Sequence, residues 1–224
     1  MPAAQLRRML GQIVSVELLS LTIILSVEAV SQAATPAELA CARRYPTLTE
    51  YTFTMNVALT MRHFPWLRFG MAGAGRYVRG RLHVVHFTKM PFFARGFDHV
   101  DLSPLDPCMW PRSYVVSFLG KRGDMRVFSL RPRRTDPNDA NPLVEGIVTL
   151  DPAYSTHDVL LKYAHGDIQL ALTSAAVNGF RLPAAADVSI NMPGQALLGH
   201  ASLTNYALDP RPLRRSVAAT PHLH

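Results

Sequence analysis

Long apolar runs are missing from this 224-residue sequence. The most hydrophobic stretch, Leu18 to Val27, is about ten residues long, whereas a helix that spans a bilayer comfortably needs ~20. Cysteine is nearly absent: Cys41 and Cys108 leave room for one bridge at most. Whether they pair stays open; a bridge would close a long loop and add ~4 kcal/mol on the chain-entropy model. Acidic residues are outnumbered, 16 against 23 Lys and Arg, for a formal net charge of +7. Such a balance suits an anionic lipid, an acidic partner or simple solubility. No repeat recurs at a fixed period.

What is present begins with a leader. Arg7 and Arg8 precede the apolar run, and Ser31-Gln32-Ala33 supplies small residues where a signal peptidase cuts. That order predicts a secretory signal peptide over 1–33. Glu17 and Glu28 flank the run, so an uncleaved anchor or a buried helix remain alternatives. Export argues against nucleic acid as a partner and places the protein in the periplasm or elsewhere outside the cytoplasm. Glu38 stands where a lipobox before Cys41 would need an aliphatic residue, so lipidation there is not expected. Residues 34–47 read as a linker with a helical turn across Ala37 to Arg44.

From Tyr51 to Met61 every second residue is large and apolar: Tyr51, Phe53, Met55, Val57, Leu59 and Met61. Thr52, Thr54, Asn56, Ala58 and Thr60 lie between them. Side chains alternate faces on a strand, so this is one long strand with an oily face. Met71 to Gly75 reads as a turn, and Leu82 to Phe87 as a strand. Further strands are expected at Tyr114–Leu119, Met125–Leu130, Leu143–Leu150, Val159–Tyr163, Ile168–Leu172, Val188–Met192 and Ala196–Tyr206. Turn chemistry at His165-Gly166-Asp167, Asn178-Gly179 and Pro193-Gly194 separates several of them. Met90 to Pro111 is rich in proline and aromatics, including Phe92, Phe93, Phe97 and Trp110, and must tuck over something apolar or line an entrance. The fold class is mainly β: a curved antiparallel sheet or incomplete barrel with a short helical or irregular lid. One domain spans 48–208, with a disordered basic tail over 209–224.

These features resemble the LolA-like superfamily of exported bacterial proteins, which takes in lipoprotein carriers and lipid-binding sensor domains. The resemblance rests on the leader, the long first strand, the amphipathic hairpins and the aromatic-proline insertion. It also rests on a late turn, Val177-Asn178-Gly179-Phe180-Arg181-Leu182-Pro183, preceded by Tyr163-Ala164-His165-Gly166-Asp167. It implies a half-barrel around an apolar cavity, a Gram-negative envelope location and a lipid or lipidated protein as ligand. An envelope or inner-membrane protein is a further candidate partner. Phe53, Met55, Val57, Leu59 and Met61 are the expected lining, with Phe92, Phe93 and Phe97 over the mouth. A fully packed sensor or interaction domain is the alternative; a hydrolase is a more distant one.

Polar candidates for chemistry are thin. His83 and His86 fall on opposite faces of a strand and cannot share a metal ion. Asp98-His99-Val100-Asp101 is the densest polar cluster, but no serine or cysteine nucleophile signature accompanies it, and a hydrogen-bonded loop is the expected reading. Gly73-Ala74-Gly75 lacks the third glycine and the helix of a dinucleotide site. The clusters Arg76, Arg79, Arg81 and Arg131, Arg133, Arg134 read as solvated hairpin ends or as anion contacts. No catalytic residue, metal or cofactor is assigned.

Overall fold

The computed structural model describes residues 34–91 and 99–210. Residues 1–33, expected as a signal peptide, residues 92–98 with Phe92, Phe93, Phe97 and Asp98, and residues 211–224 lie outside the described residues. Eleven strands follow one another: β1 Leu48–Met61, β2 Arg68–Val78, β3 Leu82–Lys89, β4 His99–Asp101, β5 Tyr114–Arg122, β6 Met125–Pro132, β7 Leu143–Leu150, β8 Thr156–Tyr163, β9 Asp167–Val177, β10 Phe180–Met192 and β11 Gln195–Pro210. Two short helices join them, α1 Pro36–Arg44 and α2 Trp110–Ser113, with a 3-10 turn at Ser103–Leu105.

The strands form one antiparallel sheet in the order β4-β3-β2-β1-β11-β10-β9-β8-β7-β6-β5. Every step is a sequence neighbour except β1–β11, where the first and last strands meet in mid-sheet. The sheet is open, with β4 and β5 as its edges. Its curvature follows from one observation. The 3-10 turn touches both β3 and β7, which are seven places apart in strand order. A flat sheet would hold them about 34 Å apart at the usual strand spacing. The sheet curls around that turn instead, as a half-barrel.

The alternation in β1 is obeyed: Tyr51, Phe53, Val57 and Leu59 are buried while Thr52, Asn56 and Ala58 are exposed. Met71 to Gly75, expected as a turn, is the middle of β2. The glycines there answer a packing need. A Cβ on Gly75 would sit 2.0 Å from the Phe53 ring, and one on Gly73 2.6 Å from the His86 carbonyl oxygen. Gly75 leaves the space that the Phe53 ring fills. By contrast, Asn178 (φ 48°) and Gly179 (φ 82°) make the tight β9–β10 turn that their dipeptide foretells.

The stretch expected as a linker with a helical turn across Ala37 to Arg44 carries α1, which packs into the domain. Thr35 and Glu38 cap it reciprocally and Pro36 opens it. Ala40 is fully buried, and Cys41 is bonded to Cys108 across a separation of 67 residues. β11 runs on to Pro210, so Asp209 pairs with Glu50 beyond the expected domain limit.

Candidate functional site

Across β8, β9, β10, β11 and β1 the concave face is apolar, and register sorts it into rows. Leu161, Ile168, Ile190, Leu197 and Met61 face one another across β8, β9, β10, β11 and β1. Val159, Leu170, Val188, Gly199 and Leu59 form the next row inward. The two ends of this face differ. At the end holding the start of β1, the segment from Ser103 to Ser113 crosses the interior as a strap beneath α1. Leu105, Met109 and Trp110 are buried there, and the Trp110 indole N–H donates to the Pro104 carbonyl at 2.9 Å. At the other end the lining is only half-buried: Met55, Phe69, Phe87, Leu143, Tyr163, Ile168, Leu170 and Val188 pack against the core without being covered by it.

The plugged end contains a polar knot. The Arg44 guanidinium, buried with Asp106, lies 3.8 Å from that carboxylate. It donates to the Leu105 carbonyl and to Thr156 Oγ1 at 3.2 Å. Burial pushes the Asp106 carboxyl up, against the pull of Arg44. Around the knot stack Tyr51 and Tyr77, with ring centroids 4.6 Å apart, and His83 stands edge-on to Tyr77 at 5.3 Å. Burial, aided by the Arg44 charge, pushes His83 down to about 3, so its imidazole is neutral. These groups hold the strap to the sheet; a neutral, enclosed histidine among aromatics has no access to a substrate.

Two clefts open elsewhere. One of ≈ 240 Å³ lies at the rim between Tyr114, Arg134, Asp139 and Leu143. The other, ≈ 430 Å³, crosses the outer face over Ala58, Gly70, Ala72 and His200. The first meets the half-buried lining at Leu143, and Val57 and Met71 also line the second.

No protein-family model matches the sequence, and a search of curated proteins finds no match. Solved structures do match. A LolA superfamily protein from Nitrosomonas europaea superposes with a TM-score of 0.53 at 10% identity, over 80% of this chain and 96% of its own. A structure described as an outer membrane lipoprotein-sorting protein domain, from Vibrio parahaemolyticus, gives 0.52 at 10% identity over 77% and 91%. A DUF1329 family protein from Desulfovibrio piger gives 0.53 at 8% identity over 79% and 94%. The chain has a LolA-like fold.

Within this LolA-like half-barrel the residues expected to line a cavity divide. Val57 and Leu59 belong to the packed core, and Phe53 to a second cluster, stacked on Tyr206 at 5.6 Å. Met55 touches both clusters and stays half-buried, as does Met61 at the end of its row. Phe92, Phe93 and Phe97 lie outside the described residues. Phe87, Ile168, Leu170 and Val188, which complete the half-buried lining, were not singled out in the sequence. Their strands were legible by alternation, but nothing in that pattern says which part of a strand the strap will cover.

His83 and His86 do face opposite ways, one buried and one exposed. Asp101 is engaged in its own loop, accepting from the Ser103 N–H at 2.8 Å and the Ser103 hydroxyl at 2.7 Å. Among the described residues no three His, Cys, Asp or Glu side chains are grouped to hold a metal. The arginine clusters are partly structural. Arg79 donates to the carbonyls of Tyr45, Pro46 and Cys41, tying down the end of α1. Arg76 pairs with Glu50 at 2.8 Å, Arg131 approaches Glu145 at 3.9 Å, and Arg133 donates to the Pro111 carbonyl.

Proposed function

We propose that this LolA-like protein is an exported, non-enzymatic binding protein that holds a lipid, an acyl chain or a lipidated protein against the open end of its concave face. The observation that carries this reading is the half-buried apolar lining at one end of a half-barrel whose other end is plugged. An acyl chain laid along the Leu59–Leu170 and Met61–Ile168 rows would lose water contact at about 0.8 kcal/mol per CH₂. Contact area alone then supplies affinity, with no reacting group required. The lipoprotein-sorting role by which the Vibrio parahaemolyticus structure is described supports the same ligand class and a Gram-negative envelope, and the leader expected over 1–33 supports export. Native mass spectrometry of the purified protein is the test. A lipid-sized adduct that organic extraction removes is the expected result; a bare polypeptide mass from repeated preparations would count against the proposal.

The burial of Val57 and Leu59 in the core favours a second reading, an envelope interaction or sensor domain with a filled sheet. In that case the exposed residues Val115, Phe118 and Leu119 on the edge strand β5 are the natural contact surface. This reading predicts the bare mass and a protein partner recovered by cross-linking.

A further inference from the structure

We infer that the β1–β2 turn, residues 62–67, is a docking tip for an anionic membrane surface. Three large apolar side chains stand exposed within four residues: Trp66 at 78%, Phe64 at 48% and Leu67 at 46%. Single exposed apolar residues are ordinary on a protein surface, but a cluster within one exposed turn marks a contact. The Phe64 and Trp66 rings meet edge to face with centroids 5.6 Å apart, so each leaves much of the other uncovered.

The backbone beneath them is fixed. Met61 N–H donates to the Leu67 carbonyl at 3.3 Å, Phe64 N–H to Met61 at 3.2 Å, and Leu67 N–H to Phe64 at 2.8 Å. Arg62 N–H anchors the tip to the neighbouring β11 through the Ala196 carbonyl at 2.8 Å. Pro65 removes one more degree of freedom. The cluster is therefore held outward in water rather than sampled by a loose loop.

Charge selects the partner. Arg62, His63 and Arg68 flank the cluster and are exposed, and the sequence has no acidic residue between Glu50 and Asp98. Arg62 donates to Ser189 Oγ at 3.4 Å. Among the described residues no carboxylate pairs with it or with Arg68. Tryptophan with a flanking cation is the combination that seats at the headgroup level of a bilayer, ring in the acyl boundary and guanidinium on phosphate. A lipid surface accepts such an exposed aromatic pair with flanking cations directly. The inference stands apart from what the concave face binds.

The two tryptophans make the test local, because Trp110 is fully buried and Trp66 is not. The full chain is mixed with vesicles of phosphatidylcholine alone or with phosphatidylglycerol. Expected with the anionic vesicles are a blue-shifted Trp66 emission, its quenching by brominated acyl chains, and flotation of the protein. Phe64→Ser should weaken binding about tenfold, and Arg62→Gln with Arg68→Gln about tenfold or more, removing the preference for anionic lipid. Uptake of a fluorescent fatty acid in vesicle-free buffer should stay unchanged in both variants, which separates this tip from the lipid-holding face. Unchanged Trp66 emission with anionic vesicles overturns the inference. So does flotation of Phe64→Ser equal to that of the parent, or a tip-dependent complex with a protein in place of lipid.

Discussion

Val57→Glu removes a large part of the domain's stability, whereas Asn56→Glu one residue earlier folds like the parent. The two positions are adjacent in β1 and differ in the face they occupy. Val57 is buried among the core residues of the concave side, opposite Met71 on β2 and Ala201 on β11. Asn56 is exposed on the outer face between Ala72 and Ser202. A carboxylate at 57 would find no cation among its cross-strand neighbours. Leaving a buried charge unpaired costs about 3–5 kcal/mol, against a total stability of about 5–15 kcal/mol for a domain. The same side chain at 56 is solvated and should change stability by no more than about 0.5 kcal/mol. Chemical denaturation followed by circular dichroism reads both. Equal tolerance at the two sites would mean that β1 does not bury one face.

Loss of the Cys41–Cys108 bond is the second large effect. The bond joins α1 to the strap, the two pieces that fill the plugged end of the half-barrel, and it closes a loop across 67 residues of sequence separation. Removing that closure frees the unfolded chain and lowers stability by about 4 kcal/mol. For a domain of this size the midpoint of thermal unfolding should fall roughly 8–16 °C. Cys41→Ser with Cys108→Ser, and the parent in dithiothreitol, should agree with each other. The strand signal should survive in both at low temperature, because the ladder itself does not depend on the bond. A midpoint that reduction leaves unmoved would show that the knot of Arg44, Asp106 and the Arg79 carbonyl contacts carries α1 alone.

The sheet was legible in the sequence because alternation and turn chemistry are local signals. Leu143 to Leu150 alternates and is β7 to the residue, and Asn178-Gly179 turns where its dipeptide dictates. Gly73 and Gly75 misled for a physical reason: glycine serves turns and close packing alike, and only the His86 carbonyl beside Gly73 and the Phe53 ring beside Gly75 decide between them. The helical turn within residues 34–47 was legible, but a nine-residue helix says little about what it packs against, so the segment looked like a linker. Its place depends on Cys108, Leu105 and Thr156, all distant in sequence. The buried Arg44–Asp106 pair was invisible for the same reason. The burial of the candidate lining was only partly legible. Alternation identified the face, but the strap decides which rows remain open, and that is a tertiary fact.

Uptake of a fluorescent fatty acid by a matched pair of variants tests the central claim most directly. Leu170 is half-buried on the concave face between Val159 and Val188, and Ala171 beside it is exposed on the outer face between Asp158 and Asp187. Leu170→Glu should fold and lose uptake at least about tenfold, since a charge in the lining removes apolar contact and must be desolvated by an incoming chain. Ala171→Lys should fold and take up the probe like the parent. Equal uptake by the two variants, or none by the parent itself, would contradict the assignment of the open concave end as the lipid-holding surface.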